Sequence, residues 1–201
     1  MIVIPNEIKI IGVTGNSGSG KSTVSNLLKS LGAYLIMADE IAHKIIMSDA
    51  YVEIVKTFGT DILKEDSLEI DRKKLGNIVF NDEKKLVILN SITHSYIIKS
   101  IINEIKLLYF KKDEYKFIVI DAALLIETKL NEMSDQVWLV HADEKLKIKR
   151  LIERDKLSEN QIIARLKNQM PFEEAKKFAD VIIINNGTYE QLEEQVKKNI
   201  G

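Results

Sequence analysis

The chain has 201 residues, of which 45% are hydrophobic and 29% charged, and its formal net charge is −1. That length supports one α/β core with a modest insertion, and the charge balance lacks the strongly basic stripe of a nucleic-acid-binding surface. The chain has no cysteine; disulfides, thiolate metal sites and cysteine nucleophiles are therefore excluded, and a reducing compartment fits.

The stretch from Met1 to Lys9 is apolar only in short pieces. Without a basic n-region or a small-residue cleavage site, it does not read as a signal peptide. No apolar run approaches the ~18 residues of a membrane span. The expectation is a soluble, cytoplasmic protein with no membrane and no nucleic-acid partner. No internal repeat or low-complexity segment is present.

Residues 8–14 read as a buried strand, and Ser22 to Leu31 as a helix ending at Gly32, a plausible stop. Ala33 to Met37 is a short apolar strand that gives way at Ala38-Asp39 to a helix through Ile46. Between residues 50 and 110 the apolar spacing is helical. It predicts a helix ending at Gly59, one around Leu75 to Val79, one around Leu86 to Ile92, and one from Ile97 to Leu108. This region reads as a helical insertion. Lys116 to Asp121 is a strand, and Gln136 to Val140 another. Asp143 opens a helix to about Asp155, Ser158 is an N-cap for a second helix to about Asn168, and Pro171 starts a third. Val181 to Ile184 is the last strand, Asn185-Asn186-Gly187 a turn, and Tyr189 to Lys198 an amphipathic helix. Five strands alternating with helices predict a five-stranded parallel sheet flanked by helices.

Between the first strand and its helix lies Gly15-Asn16-Ser17-Gly18-Ser19-Gly20-Lys21-Ser22, followed by Thr23. It fits G-x-x-x-x-G-K-[ST] in the strand–loop–helix setting that makes this pattern a phosphate site. The glycines let successive backbone N–H groups face one concavity, and the helix N-terminus adds free N–H groups and partial positive charge. Lys21 can reach the β- and γ-phosphates of ATP, and the Ser22 hydroxyl can hold Mg²⁺. Residues 16 to 23 are therefore the candidate nucleotide site. Asp121, closing an apolar strand, is the candidate carboxylate for Mg²⁺, partly through water.

Arginine is rare. Three of the four arginines, Arg150, Arg154 and Arg165, lie in the helical hairpin after the fourth strand. A planar guanidinium suits bidentate phosphate contacts, so this hairpin reads as a lid over ATP, with Arg150 and Arg154 as the phosphate contacts and Arg150 as a catalytic residue beside Lys21. The alternative is a set of surface ion pairs with Glu153, Asp155 and Glu159. Asp39 stands where a parallel sheet presents its ligands. It serves either as a base for a hydroxyl acceptor or as a helix N-cap.

Several stretches together resemble the dephospho-CoA kinase family along nearly the whole chain. They are Gly12 to Val24, Leu31-Gly32, Ala38-Asp39, Phe58-Gly59, Ile70 to Gly76, Val79-Phe80, Leu89-Asn90, Thr93-His94, Leu124 to Glu127, Arg154-Asp155, Ser158 to Gln169 and Asn185 to Gly187. The resemblance implies a P-loop kinase fold with a core of residues 1–40, 115–145 and 176–201, a helical acceptor-binding insertion at 41–114 and a lid at 146–175. It implies transfer of the ATP γ-phosphoryl to the ribose 3′-hydroxyl of dephospho-CoA, with Asp39 as general base and Asp39, His43, Arg72 and His94 on the acceptor. Four positions depart from the family pattern. Met37 replaces the first Asp of Asp-Ala-Asp, Ser95 and Ala123 replace Pro, and Ile184 replaces Asp. If positions 37 and 39 share a strand face, losing the first carboxylate weakens Asp39 as a base. Rival readings are another P-loop kinase of a small hydroxyl or nucleotide acceptor, and a non-catalytic nucleotide- or CoA-binding module.

Overall fold

The computed structural model describes residues 8–111 and 114–200, apart from the side chains of Phe80 and Glu83. The stretch read against a signal peptide lies outside the described residues, except for Ile8 and Lys9. Five strands form one sheet: β1 (Ile10–Thr14), β2 (Ala33–Met37), β3 (Phe117–Asp121), β4 (Gln136–His141) and β5 (Val181–Ile184). Their order is β2-β3-β1-β4-β5, and every pairing is parallel. The helices are α1 (Lys21–Ser30), α2 (Ala38–Met47), α3 (Tyr51–Phe58), α4 (Arg72–Phe80), α5 (Glu83–Tyr109), α6 (Glu144–Asp155), α7 (Glu159–Lys167), α8 (Phe172–Ala175) and α9 (Tyr189–Ile200). The predicted strands are all present and pair as expected.

The chain divides into two compact units: Met1–Met37 with Leu107–Gly201, and Ala38–Lys106. The first contains the whole sheet. A parallel sheet is covered on both faces, so its central strands carry apolar residues throughout rather than alternating with polar ones. All residues of β1 and of β3 are buried. Val24, Leu27 and Leu28 of α1 and Leu192 and Val196 of α9 recur at helical spacing. They join Ile11, Val13, Val119, Trp138 and Val140 in one apolar cluster. Strand β1 lies between β3 and β4, so the chain leaves it in one direction and later crosses to its other side. Its C-terminal end is therefore the switch point where a parallel sheet offers a crevice.

The second unit is helical. Ile41, Ile45, Ile54, Ile62, Ile70, Leu75 and Val79 are buried in it. A one-turn 3₁₀ segment at Thr60–Ile62 meets α3 and α4. Leu63 and Ile70 form an isolated antiparallel bridge, and Asp71 caps α4 by accepting from the backbone N–H groups of Lys73 and Lys74. Two differences from the sequence reading stand out. The helices expected at Leu86–Ile92 and Ile97–Leu108 are one helix of 27 residues. No Gly or Pro interrupts it, and Ser95, where the family resemblance leads one to expect Pro, keeps the backbone N–H that the helix ladder needs. Pro171 stands at the N-cap of α8, one residue earlier than expected. Among the described residues no helix is long and apolar enough to cross a membrane.

The loop after β1 depends on glycine at two places. Gly18 has φ 80°, and a Cβ there would lie 2.8 Å from the Lys147 carbonyl oxygen of α6. Gly20 has φ 94°, and a Cβ there would lie 2.0 Å from Asn185 Nδ2. Gly20→Ala should cost about 1–3 kcal/mol of strain and also displace Asn185. Gly59→Ala is the control, because Gly59 has φ 84° with nothing within 4 Å of the added carbon. In urea unfolding Gly20→Ala should lose clearly more stability than Gly59→Ala; equal losses would mean that the Asn185 contact contributes nothing.

Candidate active site

The candidate phosphate site is built at the C-terminal end of β1 by residues 15–22. α1 starts directly from Gly20, with no side-chain cap and no acidic residue in its first turn. Thr23 N–H turns back to the Gly20 carbonyl at 3.0 Å, and the positive end of the helix dipole faces the loop, where it favours an anion. A tight turn shapes the loop tip, with Ser19 N–H donating to the Asn16 carbonyl at 3.0 Å.

The loop carbonyls are tied from outside. Arg150 Nη1 donates to the carbonyls of Gly18 at 3.2 Å and Ser19 at 3.5 Å. Its Nη2 donates to the Asn185 carbonyl at 3.0 Å, and Asn185 Nδ2 donates to the Ser19 carbonyl at 2.8 Å. A backbone concavity binds an anion only if its N–H dipoles converge. Holding the carbonyls outward on charged and amide donors fixes that polarity. Asn16 Nδ2 donates to the Met170 carbonyl at 3.2 Å, while Gln169 engages both Ser17 N–H and Ser17 Oγ.

Lys21 Nζ forms an ion pair with Asp121 Oδ1, whose side chain is fully buried. The pair brings the loop lysine and the last residue of β3 together, as both candidate roles require. Asp121 Oδ2 is buried without a hydrogen-bond partner. Ser22 is exposed in the first turn of α1, and Thr23 follows it half-buried. In register, Asp121 lies beside Met37 at the end of β2.

The arginines separate into two groups. Arg150 lies on the loop backbone. Arg154 instead donates from Nε and Nη2 to Asp155, at 2.6 and 2.9 Å, and Arg165 Nη1 donates to Asp155 Oδ2 at 3.0 Å. For Arg154 and Arg165 the ion-pair alternative describes the contacts present. Arg154, by hydrogen bonding above all, holds the Asp155 carboxyl below the usual carboxylate range.

The acceptor-side candidates lie in the helical unit. α2 begins at Ala38, directly after β2 ends at Met37. Asp39 is thus an exposed residue of the first helical turn, not the N-cap. Met37 and Asp39 belong to different elements, so the strand-face relation expected between them does not hold. His43 stands one turn beyond Asp39 on α2. It lines a cleft of about 670 Å³ with Lys44, Met47, Lys64, Ile70, Asp71, Arg72 and Lys73. Burial and then the Arg72 charge push His43 below the usual histidine value, against the opposing pull of Asp39 and Glu40; burial and that charge both favour the neutral ring. The structure thus brings His43 and Arg72 together. His94 is half-buried on α5 and does not line this cleft. The sequence gives no site role to Lys64 and Lys73 in the cleft or to Asn185 and Gln169 at the loop, although the last three of these, Lys73, Asn185 and Gln169, lie in stretches that carry the family resemblance. Lysines are too common in this chain to signal a site, and an amide against backbone leaves no periodic trace.

The model of the family described as dephospho-CoA kinase matches residues 9–191. A dephospho-CoA kinase of Carboxydothermus hydrogenoformans is 44% identical over 198 residues, covering 98% of this chain and 93% of that protein. Among solved structures, TT1252 from Thermus thermophilus superposes with a TM-score of 0.84 at 30% identity, covering 97% of each chain. Dephospho-CoA kinase from Campylobacter jejuni superposes with a TM-score of 0.68 at 35% identity, covering 95% of this chain and 94% of that one. The full-length match agrees with a parallel sheet that ends in a phosphate loop and carries a helical insertion: this chain belongs to the dephospho-CoA kinase family.

Proposed function

We propose that the chain transfers the γ-phosphoryl of ATP to the ribose 3′-hydroxyl of dephospho-CoA, giving coenzyme A and ADP in the cytoplasm. Family membership across residues 9–191 carries this reading. The loop of residues 16–23 holds the phosphates, with Lys21 neutralising charge as the transferring group separates. Residues 146–175 act as a lid. Arg150, already beside the loop, and Arg154, released from Asp155, contact the nucleotide.

Asp39 accepts the proton of the attacking hydroxyl. Residues 41–114 hold the acceptor, where Lys44, Lys64, Arg72 and Lys73 around His43 supply cations for its phosphates. Met47 and Ile70 give the same cleft apolar surface. His94, on α5, is a further acceptor contact.

Mg²⁺ fits the phosphate site. Among the described residues no cluster of three or more His, Asp or Glu forms a metal cage. Mg²⁺, however, is typically bound through one or two protein groups, substrate phosphates and water. The orphan Asp121 Oδ2 is an acceptor suited to a metal-bound water, and Ser22 supplies a hydroxyl. When bound, the ion neutralises charge on the phosphates. Asp121 and Lys21 also stabilise each other without nucleotide, because a buried carboxylate needs its cation.

Three outcomes follow. In a coupled ADP-release assay with ATP, Mg²⁺ and dephospho-CoA, adenosine, AMP or pantetheine derivatives, turnover should require dephospho-CoA; turnover confined to another acceptor would overturn the reading. Asp39→Asn should lower kcat by roughly 10²-fold or more, the scale of general base catalysis, with ATP affinity little changed. A wild-type kcat would reduce Asp39 to a favourable charge at the start of α2. Lys21→Met should destabilise the nucleotide-free protein by about 3–5 kcal/mol in urea unfolding, and Lys21→Met with Asp121→Asn should recover most of that loss. No recovery would show that the cost is not the stranded carboxylate.

A further inference from the structure

Beyond the groups assigned to ATP and acceptor, one amide side chain makes a paired contact with the phosphate loop. Ser17 N–H donates to Gln169 Oε1 at 2.9 Å, and Gln169 Nε2 donates to Ser17 Oγ at 3.0 Å. A single side chain thereby satisfies both the backbone donor and the hydroxyl of one loop residue. The next residue adds a third tie, with its Met170 carbonyl accepting from Asn16 Nδ2 at 3.2 Å. Residues 16 and 17 form the tip of the loop, between Gly15 and Gly18, where the backbone has most freedom to lose.

The other end of this tie is anchored to the sheet. Gln169 follows the end of α7, where its own N–H donates to the Leu166 carbonyl at 3.1 Å. Met170 and Phe172 pack on Ile126, Leu139 and Ala175. Phe172 also lies on the His141 ring at the end of β4, with centroids 3.9 Å apart. A continuous path of packed and hydrogen-bonded groups therefore runs from β4 through residues 169–172 to the loop tip. It meets the loop on residues 16 and 17, while Arg150 and Asn185 hold residues 18 and 19. The loop is gripped at both halves of its bend.

We propose that Gln169 is a positioning residue for ATP. It orders the loop tip before nucleotide arrives, so that binding does not bear the entropy of fixing those residues. It also makes the carboxyl-terminal end of the lid report directly to the phosphate cradle. This rests on the loop being the ATP site, as proposed above, but not on the identity of the acceptor.

The test is a double-mutant cycle read by ATP titration calorimetry, well below the unfolding temperature of every variant, with thermal unfolding measured alongside. Gln169→Met keeps length and removes both bonds; Ser17→Ala removes only the hydroxyl contact. Gln169→Met should raise the ATP Kd roughly tenfold, the scale of one to two neutral hydrogen bonds. Ser17→Ala should raise it about threefold and add little once Gln169 is Met. The KM for dephospho-CoA should stay unchanged in both. An unchanged ATP Kd in Gln169→Met, or effects that simply multiply in the double variant, would overturn the proposal. If Gln169→Met does not fold, Ser17→Ala decides: an unchanged ATP Kd refutes the tie. Because the readout is ATP binding, a wild-type protein that binds ATP but ignores dephospho-CoA would refute the acceptor assignment and leave this cycle interpretable.

Discussion

The phosphate loop works only if its peptide dipoles are sorted, with N–H groups inward and carbonyls outward. A glycine-rich chain has no intrinsic preference for that arrangement. Here the sorting is imposed by donors that arrive from far along the chain. Arg150 and Asn185 donate to the carbonyls of Gly18 and Ser19, whereas Gln169 and Met170 accept, from Ser17 N–H and Asn16 Nδ2, and fix the position of the loop tip rather than its polarity. The sheet provides the geometry for this. β1 ends between β3 and β4, so the elements that follow β4 and β5 emerge beside the loop.

One buried ion pair stands beside the same loop. Lys21 meets Asp121 across the β1–β3 boundary, and the carboxylate is fully buried. A buried pair is a poor source of stability compared with apolar packing. Here the lysine belongs to the loop after β1 and the carboxylate closes β3, with its Oδ2 buried and without a hydrogen-bond partner. Asp155 engages Arg154 and Arg165 at the surface, and exposed ion pairs of that kind are weak.

Much of the architecture was legible from local pattern. The runs Ile10–Thr14 and Phe117–Asp121 are without a polar side chain on either face of the pleat until their last residue, as suits a doubly covered strand. Gly20-Lys21-Ser22 marked the start of α1. The break expected between Ile92 and Ile97 was not there, because apolar spacing alone cannot tell two helices from one when neither Gly nor Pro intervenes. Asp39 was read correctly as the residue after a strand, but its place inside the first helical turn rather than at the cap is a matter of one residue, the least reliable feature of any sequence reading. Residue type points to Arg150 and Arg154 as phosphate contacts, with surface ion pairs as the alternative; the carboxylate that engages Arg154 and Arg165 is visible in the sequence only as one of three acidic neighbours.

The sequence by itself determined the parallel α/β class, the phosphate loop with its helix, the strand-end carboxylate Asp121, and through its spaced motifs the family. These are short-range features, written in residues that are neighbours along the chain or repeat with the period of a strand or helix. Only the tertiary structure decided which side chains hold the loop, which oxygen of Asp121 is left without a partner, and which of the insertion's many lysines share a cleft with His43 and Arg72. The loop contacts join residues more than a hundred positions apart, as between Ser17 and Gln169, the unpartnered oxygen depends on burial at a strand end, and the cleft gathers side chains from several separate segments between residues 43 and 73. Hydrogen bonds between an amide and a backbone group impose no periodicity on the sequence, so nothing short of the folded chain reveals them.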